Sequence, residues 1–336
     1  MTATTVNYRS FVIANPTAAA GEVKEEWPLI ERLLRANLPE LDYAFTEGPG
    51  HATILAREAL RAGWEMVICV GGDGTLNEVV NGFYENTPSE QTFALDDEGF
   101  IEVVGDKPSP VSEEAVLGVL PMGTGGDFRR SLGLMGGLAE TVEHFRGRHT
   151  RRVDVGHLGF LDHDDQIGSR HFINIACAGM GGMVDYYVNR GWKGLGGTAS
   201  FALGTVRAFL KYRNTQMVVR LDDTQEMRDY FTNVVCANGR YFGGGMWVAP
   251  GAELDDGSFQ VVLLGNLSKR EMLKTLPKLY SGTHLSLKKI NRHRASEVSV
   301  RTLDRDQEVL LDVDGEQPGK LPALWHLYEK GIQIKM

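Results

Sequence analysis

Apolar residues in the first part of this chain follow two alternating rhythms. Short runs rich in β-branched residues, Phe11-Val12-Ile13-Ala14, Leu41 to Phe45, Met66-Val67-Ile68-Cys69-Val70 and Val116 to Leu120, read as strands. Between them, Trp27, Ile30, Leu33, Leu34 and Leu38 mark a helix over Glu25 to Asn37, and Ala52 to Ala62 reads as a second helix. Such alternation predicts a parallel sheet covered by helices on both faces. From about Arg151 the rhythm becomes two. Arg152 to Leu158, His171 to Ala176, Met217 to Leu221, Thr232 to Ala237, Gln260 to Leu264, Glu297 to Val300 and Val309 to Val313 read as strands of two sheets packed face to face. Ser200 to Tyr212 and Lys269 to Tyr280 are helical exceptions. Pro, Ser, Gly and acidic residues interrupt the pattern between Thr87 and Glu114, which predicts an inserted surface loop or small lobe with one strand at Phe100 to Val104. The expected division is an α/β nucleotide-binding domain over residues 1–150, carrying the insertion 87–114, and an all-β sandwich over 151–317. Residues 318–336 are free to return to the first domain.

Ligands of open parallel sheets bind at the carboxyl ends of strands, and three predicted strand ends carry unusual loops. These are Asn15-Pro16, Gly71 to Thr75, and Pro121-Met122-Gly123-Thr124-Gly125-Gly126-Asp127-Phe128. Glycines after a strand and before a helix let backbone N–H groups approach an anion, and the helix adds the positive end of its dipole. Asp73 lies among those glycines, where its carboxylate would repel a phosphate unless magnesium or ordered water lies between them.

Composition narrows the class. The 336 residues are 42% hydrophobic and 24% charged, enough for two globular cores. A formal charge of −9 argues against a general nucleic-acid binder. Cys69, Cys177 and Cys236 lie in apolar surroundings without C-x-x-C spacing, as expected of reduced thiols in a cytoplasmic protein. Met1 to Ser10 lacks the pattern of a signal peptide, and no apolar run approaches the ~18 residues of a spanning helix. Any membrane contact is therefore expected to be peripheral. His157, His163, His171, His284 and His293 show no metal-ligand spacing.

Three further motifs lie in the second half: Asn238-Gly239-Arg240-Tyr241-Phe242-Gly243-Gly244-Gly245-Met246, then Ala249-Pro250-Gly251-Ala252-Glu253-Leu254-Asp255-Asp256-Gly257-Ser258, and finally Asp312-Val313-Asp314-Gly315-Glu316. With Gly71 to Asn77 and Gly123 to Phe128, in that order, they resemble the diacylglycerol kinase catalytic family of lipid kinases, which includes sphingosine kinases. Length and layout are similar to the soluble bacterial diacylglycerol kinase-like enzymes, from Asn15 to near the C-terminus and leaving out mainly the insertion. The resemblance implies an NAD kinase/diacylglycerol kinase-like nucleotide domain, a β-sandwich, and phosphorylation of a lipid hydroxyl by ATP in the cleft between them. Diacylglycerol is the leading substrate class, with phosphatidic acid as product.

Carried over residue by residue, the resemblance places ATP on Asn15, Pro16 and Thr17, on Thr46, on Gly72, Asp73, Gly74, Thr75, Asn77 and Glu78, and on Gly123 and Thr124. It implies that the pair Asp314 and Glu316 accepts the proton of the attacking hydroxyl, with the choice between them open. It implies that Asp73 and Asp127 hold catalytic magnesium, and that Asp256, with the main chain at Glu253 and Ser258, holds a structural magnesium ion. Two departures stand out. Thr17-Ala18-Ala19-Ala20-Gly21 lacks the family's serine and glycine, and Gly126 stands where asparagine is common, so weaker ATP binding or a changed acceptor geometry is expected.

A route to a membrane lies in charge polarisation. Lys269, Arg270, Lys274, Lys278, Lys288, Lys289, Arg292 and Arg294 face only Glu271 in their segment, among Leu273, Leu276, Leu279, Tyr280 and Leu285. Phe201, Phe209, Leu210 and Tyr212, with Arg207, Lys211 and Arg213, form a second such helix. Solvated basic helix faces are the bland alternative. Edge strands of the second domain leave room for a homodimer. Competing functions are a sphingoid or other lipid kinase, an NAD kinase, which shares Gly-Gly-Asp-Gly-Thr, and a nucleotide-binding regulator without turnover. Cys177, Gly179, Gly181 and Gly182 suggest close packing and carry no assigned chemistry.

Overall fold

The computed structural model describes residues 7–123, 125–189, 197–304 and 306–336. In chain order it forms β1 (Ser10–Ala14), α1 (Glu22–Asn37), β2 (Leu41–Phe45), α2 (His51–Arg61), β3 (Met66–Gly71) and α3 (Asp73–Gly82). Then come α4 (Ser89–Thr92), β4 (Phe93–Leu95), β5 (Ile101–Val103), β6 (Val116–Pro121), α5 (Asp127–Leu132), α6 (Leu138–Glu143), β7 (Thr150–Leu161), β8 (Ile167–Phe172) and β9 (Ile175–Gly179). The remainder is α7 (Met180–Asn189), α8 (Gly197–Lys211), β10 (Thr215–Leu221), β11 (Gln225–Phe231), β12 (Asn233–Ala237), β13 (Phe259–Leu264), α9 (Lys269–Tyr280), β14 (Ile290–Ala295), β15 (Glu297–Thr302), β16 (Leu311–Val313) and β17 (Lys320–Lys335). By contact the chain divides into a first unit of Met1–Asn86, Pro108–Asp154 and Lys330–Met336, and a second of Thr87–Lys107 and Val155–Glu329.

The first unit is an α/β layer structure. β1 pairs in parallel with β2 and β3, β3 with β6, and the last residues of β17 add in parallel to β6. β1 lies between β2 and β3, so the chain turns to opposite sides at the end of β1, which is where open parallel sheets bind ligands. Val23, Trp27, Ile30 and Leu34 recur at helical spacing and form the buried face of α1. Trp27 packs on Tyr43 and Phe45 of β2, with ring centroids 4.7 and 5.0 Å apart.

The second unit is β-rich and antiparallel. One sheet has the order β14-β13-β12-β9-β16; the other strand set joins β11, β10, β15 and β17, with β7 and β8 beside β17. Alternate residues of both sets meet in one core, in which Ala176, Val234 and Val261 face Val219, Val300 and Trp325. The opposite face of the first sheet is buried too: Cys177, Val235 and Val262 pack with Val248, Leu267 and Ile290. All three cysteines are free and buried. No helix among the described residues is long and apolar enough to cross a membrane.

Three features correct the sequence reading. His171 to Ala176 is not one strand: it breaks after Phe172 and resumes at Ile175. The glycine-rich stretch from Met180 is a helix, α7, and the last residues form the long strand β17, neither of which the pattern suggested. The insertion does not travel with the first unit as one piece, since Thr87–Lys107 groups with the second. It holds a two-stranded β4–β5 hairpin whose Phe93 lies over Gly159, where a Cβ would stand 2.7 Å from the ring. Phe100 is clasped by two guanidinium groups, Arg220 at 3.9 Å and Arg301 at 4.8 Å from the ring centroid.

His157 and His171 are stacked at 4.2 Å between the insertion and β17, and His157 Nδ1 lies 2.8 Å from the Tyr328 hydroxyl. Burial, and to a lesser extent His326, holds the His157 imidazole down to about 3. A histidine with a depressed folded-state value binds fewer protons folded than unfolded, so stability is complete above about 6.5 and declines as pH falls toward 3. The cost reaches at most about 1.4 kcal/mol per pH unit in that window. Thermal unfolding of His157→Gln between pH 7 and 4 is expected to show a shallower fall in Tm than the native chain; equal slopes would remove His157 as the cause.

Candidate active site

In the first unit, the loops following β1, β3 and β6 lie at the same sheet edge because the strands are parallel and in register, with Gly71 opposite Pro121. Backbone touches backbone there: a Cβ on Gly123 would stand 2.7 Å from Gly72 Cα, so a side chain at 123 would force the loops apart. Asn15 links the first loop to the second, donating from Nδ2 to Thr75 Oγ1 at 2.9 Å while Oδ1 accepts from Thr17 N and Oγ1 at 3.0 and 2.9 Å. Thr46 continues β2, its N–H donating to Ala14 O at 2.9 Å.

Asp73 begins α3, yet its carboxylate serves α5. It accepts from Asp127 N at 3.2 Å and Phe128 N at 3.4 Å, tying the two glycine loops together. Asp127, buried, pairs with Arg130 at 3.2 Å, and Arg130 also donates to the Gly125 and Gly126 carbonyls. The neighbouring Arg129 has its Nε enclosed without a hydrogen-bond partner among the described residues. It lines a small cavity with Gly72, Asp73 and Gly123.

Not every expected contact gathers at this edge. Glu78 is a cap for α2: its oxygens accept from Gly50 N at 2.8 Å and Ala52 N at 3.1 Å. Asn77 is fully buried within α3, 3.3 Å from Asn81 Nδ2. Thr124 lies outside the described residues. Glycine backbone and the start of α3 offer N–H donors to an anion there, and Asp73, bonded to two α5 N–H groups, and Asp127, paired with Arg130, would be the residues to hold a hard cation.

In the second unit, Asp314 and Glu316 stand on one turn with unlike environments. The Asp314 carboxylate is buried and accepts three backbone N–H groups, Ile173 at 3.0 Å, Asn174 at 3.1 Å and Ile175 at 2.9 Å. These bonds occupy the break between β8 and β9, which is why the predicted single strand is interrupted. The Asn238 motif braces the same corner: Asn238 and Gly239 N–H groups donate to Asn174 O at 2.9 and 2.8 Å, and Asn238 Nδ2 donates to Ile173 O at 2.8 Å. Glu316 is exposed.

Two carboxyl groups that sequence reasoning gave no role underlie this turn. Asp312 Oδ1 accepts from Gly315 N at 2.9 Å, and its Oδ2 lies 3.7 Å from Cys177 Sγ. Asp185 of α7 lies beside Asp312 and is raised well above its ordinary value, by burial first and then by the neighbouring charges of Asp312 and Glu316. Burial raises Asp312 as well, so charge is disfavoured on both members of the pair. The glycines before Asp185 were the available signal. A Cβ on Gly182 would stand 2.4 Å from the Leu310 backbone, and only glycine lets α7 lie so close to β16.

At the expected structural ion site, Asp256 Oδ1 accepts from Ser258 N and Oγ at 3.2 and 3.1 Å, and Oδ2 pairs with Arg294. Arg294 already supplies a cation there, so magnesium at Asp256 would have to displace a guanidinium group.

Residues 9–158 match the family described as "Diacylglycerol kinase catalytic domain", and residues 174–335 match "YegS C-terminal NAD kinase beta sandwich-like domain". The chain carries a diacylglycerol kinase catalytic domain followed by a YegS C-terminal domain. Among curated relatives, it is 27% identical over 324 residues to a diacylglycerol kinase of Staphylococcus haemolyticus, covering 96% of this chain and 86% of that protein. It is 28% identical over 327 residues to the diacylglycerol kinase of Staphylococcus saprophyticus, covering 97% of this chain and 94% of that one. In fold it is similar to a diacylglycerol kinase from Bacillus anthracis, with a TM-score of 0.66, 20% identity and coverage of 98% and 97%. It also resembles yeast NADH kinase complexed with NADH, at TM-score 0.50, 11% identity and coverage of 98% and 83%.

An acid whose folded-state value is raised binds more protons folded than unfolded, so its burial costs stability increasingly as pH rises from the unfolded value. Asp185→Asn keeps the shape of the protonated carboxyl and removes that dependence. Its Tm is expected to exceed the native value at pH 8 and to converge with it near pH 4. A variant less stable than the native chain at pH 8 would show that burial of Asp185 carries no such cost.

Proposed function

We propose that this protein transfers the γ-phosphate of ATP, with magnesium, to the hydroxyl of a membrane lipid, and that diacylglycerol is the substrate and phosphatidic acid the product. The observation that carries this reading is the unequal pair on the β16 turn. A lipid alcohol is a weak nucleophile and needs an acceptor for its proton as it attacks phosphorus. Three N–H donors occupy the Asp314 carboxylate and tie it to the backbone, whereas Glu316 stands exposed on the next residue but one. This contrast supports assigning the acceptor role to Glu316 and a positioning role to Asp314. In the first unit, the Gly72 and Gly123 backbone and the α3 start would hold the phosphates. Asp73 and Asp127 would hold the magnesium ion, which supplies charge neutralisation on the transferring group when bound.

Access to a lipid surface is assigned to α8 and α9. Leu203, Val206 and Leu210 on α8 and Leu273, Leu276 and Tyr280 on α9 are exposed large apolar residues. Lys269 reaches across to the Phe209 and Tyr212 carbonyls at the end of α8, joining the helices. Lys289 and Arg294 are committed to Glu271 and Asp256, which leaves Arg270, Lys274 and Lys278 on α9, Arg207 and Lys211 on α8, and Arg213, Lys288 and Arg292 in the flanking segments as the cations for an anionic surface. Each is worth about 1 kcal/mol near such a surface.

Transfer of labelled phosphate from ATP to a lipid panel in mixed micelles tests the chemistry. Labelled phosphatidic acid is expected, with Glu316→Gln reducing transfer by about 100-fold or more at unchanged Tm. Asp314→Asn is expected to lower Tm together with activity, by loss of about 1–3 kcal/mol of backbone anchoring. Full activity in Glu316→Gln alongside an inactive, stable Asp314→Asn would return the acceptor role to Asp314. Label in NADP, in a sphingoid phosphate or in no product would select the NAD kinase, the sphingoid kinase or the regulator. For the surface, Leu210→Asp with Leu276→Asp is expected to abolish sedimentation with phosphatidylglycerol vesicles while sparing turnover of short-chain soluble diacylglycerol. Undiminished vesicle binding would assign the contact elsewhere.

A further inference from the structure

Gly126, the departure that suggested weakened nucleotide binding, has a partner two residues into α5. Arg129 and Arg130 are adjacent and unlike. Arg130 is committed to the Gly125 and Gly126 carbonyls and to Asp127. Arg129 makes no side-chain hydrogen bond or ion pair with any described residue, although its Nε is buried. Its side chain lines the cavity at the carboxyl ends of β3 and β6, together with Gly72, Asp73, Gly123 and Gly126.

Glycine at 126 is what admits it. The residue has φ +59, and a Cβ there would stand 3.1 Å from Arg129 Cδ and 3.2 Å from its Nε. A larger side chain there presses on the stem of the guanidinium group, which must give way by a few tenths of an ångström. A buried guanidinium donor without a partner is costly, since water is excluded and nothing replaces it. Two glycine loops and the Asp73 carboxylate surround the position, so positive charge and planar donors face a space otherwise shaped for anionic oxygen with a cation beside it.

We propose that Arg129 is a phosphate ligand of the nucleotide, a guanidinium that occupies the room opened by Gly126 and supplies donors in place of a side-chain amide at that position. This rests on the reading of the first unit as an ATP site. Its charge acts on the β- and γ-phosphates, so its contribution grows from AMP to ADP to ATP. The weaker binding expected from Gly126 then does not follow, because a cation has replaced a neutral donor.

Calorimetric titration of AMP, ADP and ATP, each with magnesium, into the full-length protein tests this without reference to lipid turnover. Arg129→Ala is expected to weaken ATP binding by about 10- to 100-fold and leave AMP nearly unchanged, with Arg129→Lys recovering part of the loss. Gly126→Asn, whose side chain tolerates positive φ, is expected to weaken ATP as Arg129→Ala does. ATP binding unchanged in Arg129→Ala, an equal loss for all three nucleotides, or tighter ATP binding in Gly126→Asn would overturn the assignment. No ATP binding by the native chain would overturn both the assignment and the reading of the site on which it rests.

Discussion

Backbone meets backbone where β3 and β6 end, and the first unit is organised around that contact. Parallel pairing sets Gly71 opposite Pro121, and the following residues approach until Gly72 and Gly123 leave no space for a side chain between them. Two loops brought so close would present unsatisfied N–H groups to each other at the starts of α3 and α5. The Asp73 carboxylate resolves this by accepting from Asp127 and Phe128 while beginning its own helix. One side chain therefore fixes the relative position of two helix starts, and a ligand there meets donors already aimed.

The same division of labour recurs with other residue types. Where two charged groups stand close together in sequence, one is committed to backbone and its neighbour is left to face outward or into a cavity. Arg130 holds the Gly125 and Gly126 carbonyls while Arg129 lines the cavity. Asp314 holds three N–H groups while Glu316 stands exposed. Backbone anchoring of one member limits the freedom of the other, which is how a short turn can hold an exposed side chain in place.

Legibility in the sequence followed local consistency. Strands β1, β2, β3 and β6 and helix α9 are read to within a residue or so, because periodicity and flanking turn residues agree there. The glycine loops were legible for the same reason. Helix α7 was hidden by Gly181 and Gly182, which cost about 1 kcal/mol each in a helix and form one here only because α7 lies against β16. Strand β17 was masked by Pro322, Gly331 and the charged pair Glu329-Lys330, though Leu321, Ala323, Trp325 and Leu327 alternate into the core. The break at Ile173 and Asn174 had no local signal, since its cause is a carboxylate more than a hundred positions away in the chain. Among site residues, motif order pointed to Asp73, Asp127, Asp314 and Glu316, but not to the helix-capping role of Glu78 or the enclosure of Arg129, which depend on tertiary contact.

The cost of two glycines in α7 has an identifiable return. Gly182 lets the helix backbone rest on Leu310 and Leu311, Gly181 leaves room for Cys177 Sγ, and the next turn brings Asp185 to Asp312. Burial disfavours charge on both carboxyls, and each disfavours charge on its neighbour. Asp312 is then a fixed acceptor for Gly315, and the tip of the turn that carries Glu316 is held from beneath. Replacing the pair by apolar side chains would pack the same space and release Gly315 N–H. The buried acids are thus explained by the geometry of the turn and not by stability, to which a buried acid pair contributes little at neutral pH.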